Sequence, residues 1–140
     1  MSEHRWTWTS DRKLPSRKGA HLDLLEEILQ ELERLGWNGR DFFGIQMALE
    51  ESLTNAIRHG NCCDESKQVH VECKLSPEQF WLRVTDEGRG FKPHKVPDCT
   101  ADENLECPGG RGLALMKAYM TSVDYNDRGN CVTMEKTRTT

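Results

Sequence analysis

The spacing of apolar residues alternates between two periods along this chain, and that alternation limits the folds open to it. Leu22, Leu25, Ile28, Leu29, Leu32 and Leu35 recur at three- and four-residue steps, the stripe of an amphipathic helix over Ala20–Leu35. Ile45, Ala48, Leu49, Ser52, Leu53, Ala56 and Ile57 repeat that pattern in a second, longer helix. From Val69 to Leu75 the period drops to two, and Phe80, Leu82 and Val84 share one face of the next run. With the turn at Ser76-Pro77-Glu78 between them, the two runs predict an antiparallel hairpin. Helix returns over Gly112–Met120, and strands near Ser122–Tyr125 and Cys131–Lys136 flank the turn Asn126-Asp127-Arg128-Gly129. The outline is α+β: a two-layer sandwich with helices on one face of a mostly antiparallel mixed sheet.

The boundaries carry their own signals. Trp6-Thr7-Trp8-Thr9 alternates like a short first strand, and the polar stretch from Ser10 to Gly19, holding Pro15, reads as a connector. Gly36 ends the first helix. Asp41 is placed to cap the second, and Gly60-Asn61 stops it. Glu87 to Gly110, with Pro93, Pro97 and Pro108, reads as a long loop of the kind that is usually functional.

The chain has 140 residues, the size of a single domain over 1–140, with 30% charged residues and a net charge of −4. No face is rich in Lys and Arg, which argues against direct nucleic-acid binding. No apolar run approaches the roughly 20 residues of a membrane span, and Met1–Trp6 lacks the apolar core of a signal peptide. A cytoplasmic, membrane-free location is the expectation. The six cysteines form no C-x-x-C pair. His59, Cys62 and Cys63 lack an evident fourth metal ligand, so free thiols are the reading.

Three motifs bear on chemistry. Glu51 and Asn55 stand four residues apart on the second helix, on one face beside the apolar stripe. A carboxamide oxygen is a hard ligand suited to Mg²⁺, and a carboxylate can take a proton from an attacking hydroxyl. Alone, the pair is a weak signal and reads first as a solvated helix face. Asp86-Glu87-Gly88-Arg89-Gly90 follows a strand directly. Asp86 offers an acceptor for an exocyclic amine such as that of adenine, and the glycines allow close approach, although the same run also reads as an ordinary turn. Pro108-Gly109-Gly110-Arg111-Gly112 leads into a helix, presenting backbone N–H groups and dipole to phosphate. Neither a Walker nor a dinucleotide pattern is present.

Taken in order, these motifs resemble those of the GHKL ATPases, the superfamily of gyrase, the ninety-kilodalton chaperone, histidine kinases and MutL. The nearest likeness is to the anti-sigma-factor serine/threonine kinases, whose N-box the run Ala48–Asn61 resembles. The resemblance covers nearly the whole chain. It implies ATP and Mg²⁺ as ligands, with Asn55 on the metal and Glu51 as general base. It implies adenine recognition by Asp86, a pocket shaped by Gly88 and Gly90, and phosphates cradled by Gly109, Gly110, Arg111 and Gly112. Residues 91–108 would be the ATP lid. The sequence departs from the family pattern at Asn130, where many relatives carry Thr near the adenine. It departs again at His59, where some carry an acid that would pair with Arg89.

The implied activity is transfer of the ATP γ-phosphate to Ser or Thr of a small anti-anti-sigma-type antagonist, with a sigma factor as a further partner. Relatives of this branch are often homodimers, and Trp6, Trp8 and Trp37 serve either packing or a dimer face. Two alternatives compete. One is a binding module in which ATP sets only the conformation that holds a partner. The other is a detached histidine-kinase catalytic domain, which would need its phosphoacceptor in trans, since His21 lies within the domain itself.

Overall fold

The computed structural model describes residues 5–61, 64–88 and 110–139. The predicted elements are present in the predicted order. Strand β1 (Trp8–Pro15) leads to helices α1 (Leu22–Arg34) and α2 (Gly39–Thr54), and α2 runs into a π-helical segment, Asn55–Gly60. Strands β2 (Gln68–Leu75) and β3 (Gln79–Thr85) form the hairpin, followed by α3 (Gly110–Tyr119), β4 (Ser122–Tyr125) and β5 (Cys131–Thr137). One sheet holds the strands in the order β1-β2-β3-β5-β4. All four pairings are antiparallel, so the mixed character expected of the sheet does not appear among the described residues.

Period two on the strands and period near 3.6 on the helices meet in one core. Val71 pairs with Val84, Cys73 with Leu82 and Leu75 with Phe80, and Leu82 and Val84 pair onward with Met134 and Val132. These side chains are buried in one cluster with Leu24, Ile28 and Leu32 of α1 and Ile45, Leu49 and Leu53 of α2. Each fully buried side chain of this kind contributes about 1.5–3 kcal/mol. The other sheet face is polar and partly open, where Arg83 grips Glu72 through two hydrogen bonds of 2.9 and 2.7 Å. That pairing holds the Glu72 carboxyl below its ordinary pKa.

Three local readings change. β1 extends to Pro15 instead of stopping at Thr9. It is an edge strand paired only with β2, so its polar residues need no burial and Pro15 ends it without loss of a ladder bond. Helix α2 begins at Gly39, and no side chain caps it. Asp41 is instead buried at 1% exposure and accepts from the Thr139 N–H at 2.6 Å and its hydroxyl at 2.7 Å. Leu22, counted in the first helical stripe, is 54% exposed. Trp37 packs in the core and donates to the Ser76 carbonyl at 2.9 Å, which settles its role as packing.

Helix α3 packs closely on α2 at its C-terminal end. A Cβ on Gly44 would stand 2.7 Å from the Cβ of Tyr119, closer than side-chain atoms pack. Phe43 meets the Tyr119 ring edge-on at 5.7 Å, and Arg40 lies over the same ring at 4.9 Å.

Candidate functional site

Asp86 sits where β3 ends, in a frame that fixes its backbone from both sides. Its N–H donates to the Asn130 carbonyl at 2.9 Å, and the Asn130 side-chain amide donates back to the Asp86 carbonyl at 2.9 Å. Arg128 donates to the Gly88 carbonyl at 2.9 Å. The β4–β5 turn that supplies these groups is itself rigid. The Asn126 side-chain oxygen accepts from the N–H groups of Gly129, Asn130 and Cys131, and Gly129 takes a φ of 81° that suits glycine. Asn130 is therefore a brace for the strand end, since its Oδ1 also accepts from Asn126 at 2.8 Å.

Asp86 Oδ1 accepts from the Gly88 N–H at 2.8 Å, closing an Asx turn. Burial raises the Asp86 pKa, opposed by the Gly88 hydrogen bond and by the charges of Arg128 and Lys67. An acceptor kept partly dry in this way binds an amine more strongly than one in water.

A second brace was not visible as a site residue in the sequence. Asn61, 1% exposed, accepts from the Glu87 N–H at 2.8 Å and donates to the Ser16 hydroxyl at 2.7 Å and the Gln68 carbonyl at 3.0 Å. Glu87 accepts in turn from the Gln68 N–H. The π-helical segment makes this possible, because the Asn61 N–H reaches back five residues to the Ala56 carbonyl at 2.9 Å. Widened turns of this type are rare and concentrate at functional sites.

The helix motif lies directly before that widening. Glu51 is on the last turn of α2, and the Asn55 N–H donates to the carbonyls of Glu51 and Ser52. The Asn55 side-chain Nδ2 is buried and has no partner among the described residues. Tyr125 of β4 links this motif to Asp86. Burial raises its phenol pKa, and the charges of Glu51 and Asp86 raise it further, so the hydroxyl stays protonated within electrostatic reach of both carboxylates. Sequence reading missed Tyr125, whose only signal was a place in a short strand.

Glu51 and Asn55 thus lie at the end of α2 and the start of the π-helical segment, and Asp86 and Gly88 lie just beyond the end of β3. Gly110, Arg111 and Gly112 form the first turn of α3. Arg89, Gly90, Gly109 and the 91–108 segment lie outside the described residues, as do Cys62, Cys63, Cys99 and Cys107. Cys73 is a free, buried thiol whose pKa burial pushes up, and Cys131 is free. Among the described residues no group of three His, Cys, Asp or Glu side chains could hold a metal, and no helix is long and apolar enough to cross a membrane.

Comparison with known proteins shows the family and the fold. The anti-sigma F factor of Clostridium perfringens is 34% identical over 98 residues, 66% of this chain and 69% of that protein. The serine-protein kinase RsbW of Bacillus licheniformis is 30% identical over 112 residues, 74% and 69% of the two chains. The serine/threonine-protein kinase BtrW of Bordetella bronchiseptica is 24% identical over 94 residues, covering 66% of each. A crystal structure of the RsbU and RsbW domains of a Mycobacterium tuberculosis protein shares the fold at a TM-score of 0.63 and 19% identity. It covers 94% of this chain, which spans 32% of that structure. Residues 14–136 match the family described as histidine kinase-like ATPase domain, and with strand-end Asp86 and helical Asn55 in place the chain belongs to that family.

Proposed function

We propose that this protein is an ATP-dependent serine/threonine protein kinase that phosphorylates a small antagonist protein and, between phosphorylations, holds a sigma factor. The observations that carry this reading are the braced Asp86 at the end of β3 and, one turn after Glu51, an Asn55 amide nitrogen that is buried and unpartnered among the described residues. A base and an amide ligand face the phosphates at one end, and an adenine acceptor stands at the other. The family membership and the names of the relatives support it.

Mg²⁺ fits the residues present. Mg²⁺ retains waters and phosphate oxygens and takes few protein ligands, so one carboxamide suffices. The Asn55 amide nitrogen is buried with no partner among the described residues, and turning that amide over presents Oδ1 in place of Nδ2. Bound there with ATP, the ion would neutralise charge on the phosphates.

The protein's own residues supply the rest. Asp86 accepts from the adenine amino group and fixes the base, and the first turn of α3 directs backbone N–H groups at phosphate. Glu51 accepts the proton of the Ser or Thr hydroxyl as its oxygen bonds to the γ-phosphorus. The bond to the bridging oxygen breaks, and ADP leaves with that electron pair. His21 is buried at 6% exposure, which disfavours a phosphohistidine route through it.

Phosphotransfer from γ-labelled ATP to the antagonist tests the assignment. Glu51→Gln should keep ATP affinity within about twofold and lower transfer about 10²–10⁴-fold, while Asn55→Ala should lose Mg-ATP binding. A wild-type protein that binds the antagonist or sigma factor in an ATP-dependent way but transfers no phosphate would replace the kinase with an ATP-switched binding module.

A further inference from the structure

One buried polar group takes no part in this chemistry. His21 precedes α1, is 6% exposed, and has no hydrogen-bond partner at either ring nitrogen among the described residues. Burial lowers its pKa against the opposing charge of Glu50. A neutral imidazole carries one donor and one acceptor, and both are unmet here.

The ring lines a cavity of about 240 Å³ together with Lys18, Gly19, Leu22, Thr54, Ile57 and Arg58. With water occupying about 30 Å³ in the liquid, that space fits roughly ten non-hydrogen atoms of a ligand. Leu22 and Ile57 give it apolar walls. Lys18 supplies positive charge, and Arg58 adds to it. The N-terminus of α1 has no side-chain cap, so its dipole favours an anion at the same end. Glu50 and Asp23 are the acidic groups nearby, and both are exposed to solvent. None of the lining residues is Glu51, Asn55, Asp86 or Tyr125, so the cavity is distinct from the nucleotide site.

We propose that this cavity is a binding site for a small amphipathic carboxylate. Its apolar body lies between Leu22 and Ile57, and its carboxylate accepts the His21 ring N–H and faces Lys18. Two features point to the ligand independently: the uncapped, cation-flanked helix start, and a buried imidazole with no partner among the described residues.

The test is an NMR titration of the ¹⁵N-labelled full chain with 3-phenylpropionate and, separately, 3-phenylpropylamine. The acid should give saturable shifts at amides 18–22 and 54–58 and move the His21 ring nitrogens, and the amine should not. Lys18→Glu should weaken the acid about fivefold. His21→Phe, which leaves no buried group unpaired, should weaken the acid about tenfold and still leave the amine unbound. Leu22→Trp, at a position exposed enough to preserve the fold, should block both. Equal shifts from acid and amine in the wild type would overturn the proposal. Absence of saturable shifts, leaving ordered water as the occupant, would overturn it equally.

Discussion

Asn61 carries three side-chain hydrogen bonds whose partners lie on the β1–α1 connector, β2 and the end of β3. Its replacement by Ala strands the Glu87 N–H and the Gln68 carbonyl in a half-buried place. The expected loss is about 2–4 kcal/mol, read as a fall in Tm of roughly 5–15 °C. Asn61→Asp keeps the acceptor for Glu87 but sets a carboxylate against the Gln68 carbonyl, and should destabilise at least as much. Thermal denaturation of both variants checks this.

Asp86 makes a different prediction. Burial raises its pKa in the folded state, so the folded form binds its proton more tightly than the unfolded chain does. Its ionisation therefore destabilises the empty protein as pH rises through the folded pKa, and protonation relieves that below it. ATP needs the ionised acceptor. ATP affinity should thus fall on acidification at a higher pH than an ordinary aspartate would give. Asp86→Asn should raise Tm while losing ATP, since Gly88 holds Oδ1 and the amide nitrogen would meet the adenine amine donor to donor. A calorimetric titration with ATP across pH decides the first point, and a variant that binds ATP normally would dispose of the second.

Among the elements, α2 and α3 pack together through Gly44. Replacing a helical glycine with alanine ordinarily adds about 1 kcal/mol of stability. Here the added methyl stands 2.7 Å from Tyr119 Cβ, and overpacking of that kind costs about 1–3 kcal/mol. The overlap falls on the last residue of α3 and wins or cancels the gain. Gly44→Ala should leave Tm unchanged or lower, read by thermal denaturation. A variant about 1 kcal/mol more stable would show that the α2–α3 packing does not depend on this contact.

Helix stripes and strand alternation were legible because they arise from neighbours in sequence. The same holds for Glu51 and Asn55, one helical turn apart, and for Asp86 at a strand end. Asn61, Tyr125 and Asp41 were not legible, because what each does is defined by partners far along the chain. Asp41 had the residue type of a helix cap, yet its partner is Thr139. Asn61 had the look of a helix stop, and its partners begin at Ser16. The polar edge strand β1 was cut short for a related reason, since a strand with one neighbour shows little alternation.

For the whole molecule, the segments after β1 and after β5 are tied into the sheet and helix layer. Arg138 donates to the carbonyls of Pro77 and Gly36, and Ser16 to that of Lys67 at 2.8 Å. The Asn61 junction then has a thermodynamic reach beyond the residues it touches. Any opening that exposes the Ser16, Gln68 or Glu87 amide must break that ring of bonds, and a nucleotide held by Asp86 must leave first. At a ligand concentration a hundredfold above Kd, that requirement slows exchange through such openings about 100-fold. Deuterium uptake with and without ATP should therefore diverge at Ser16, Gln68 and Glu87 while Trp8–Ser10, at the far end of the same edge strand, exchange at equal rates. The sheet edge would then report occupancy of a pocket it does not line, in units of time.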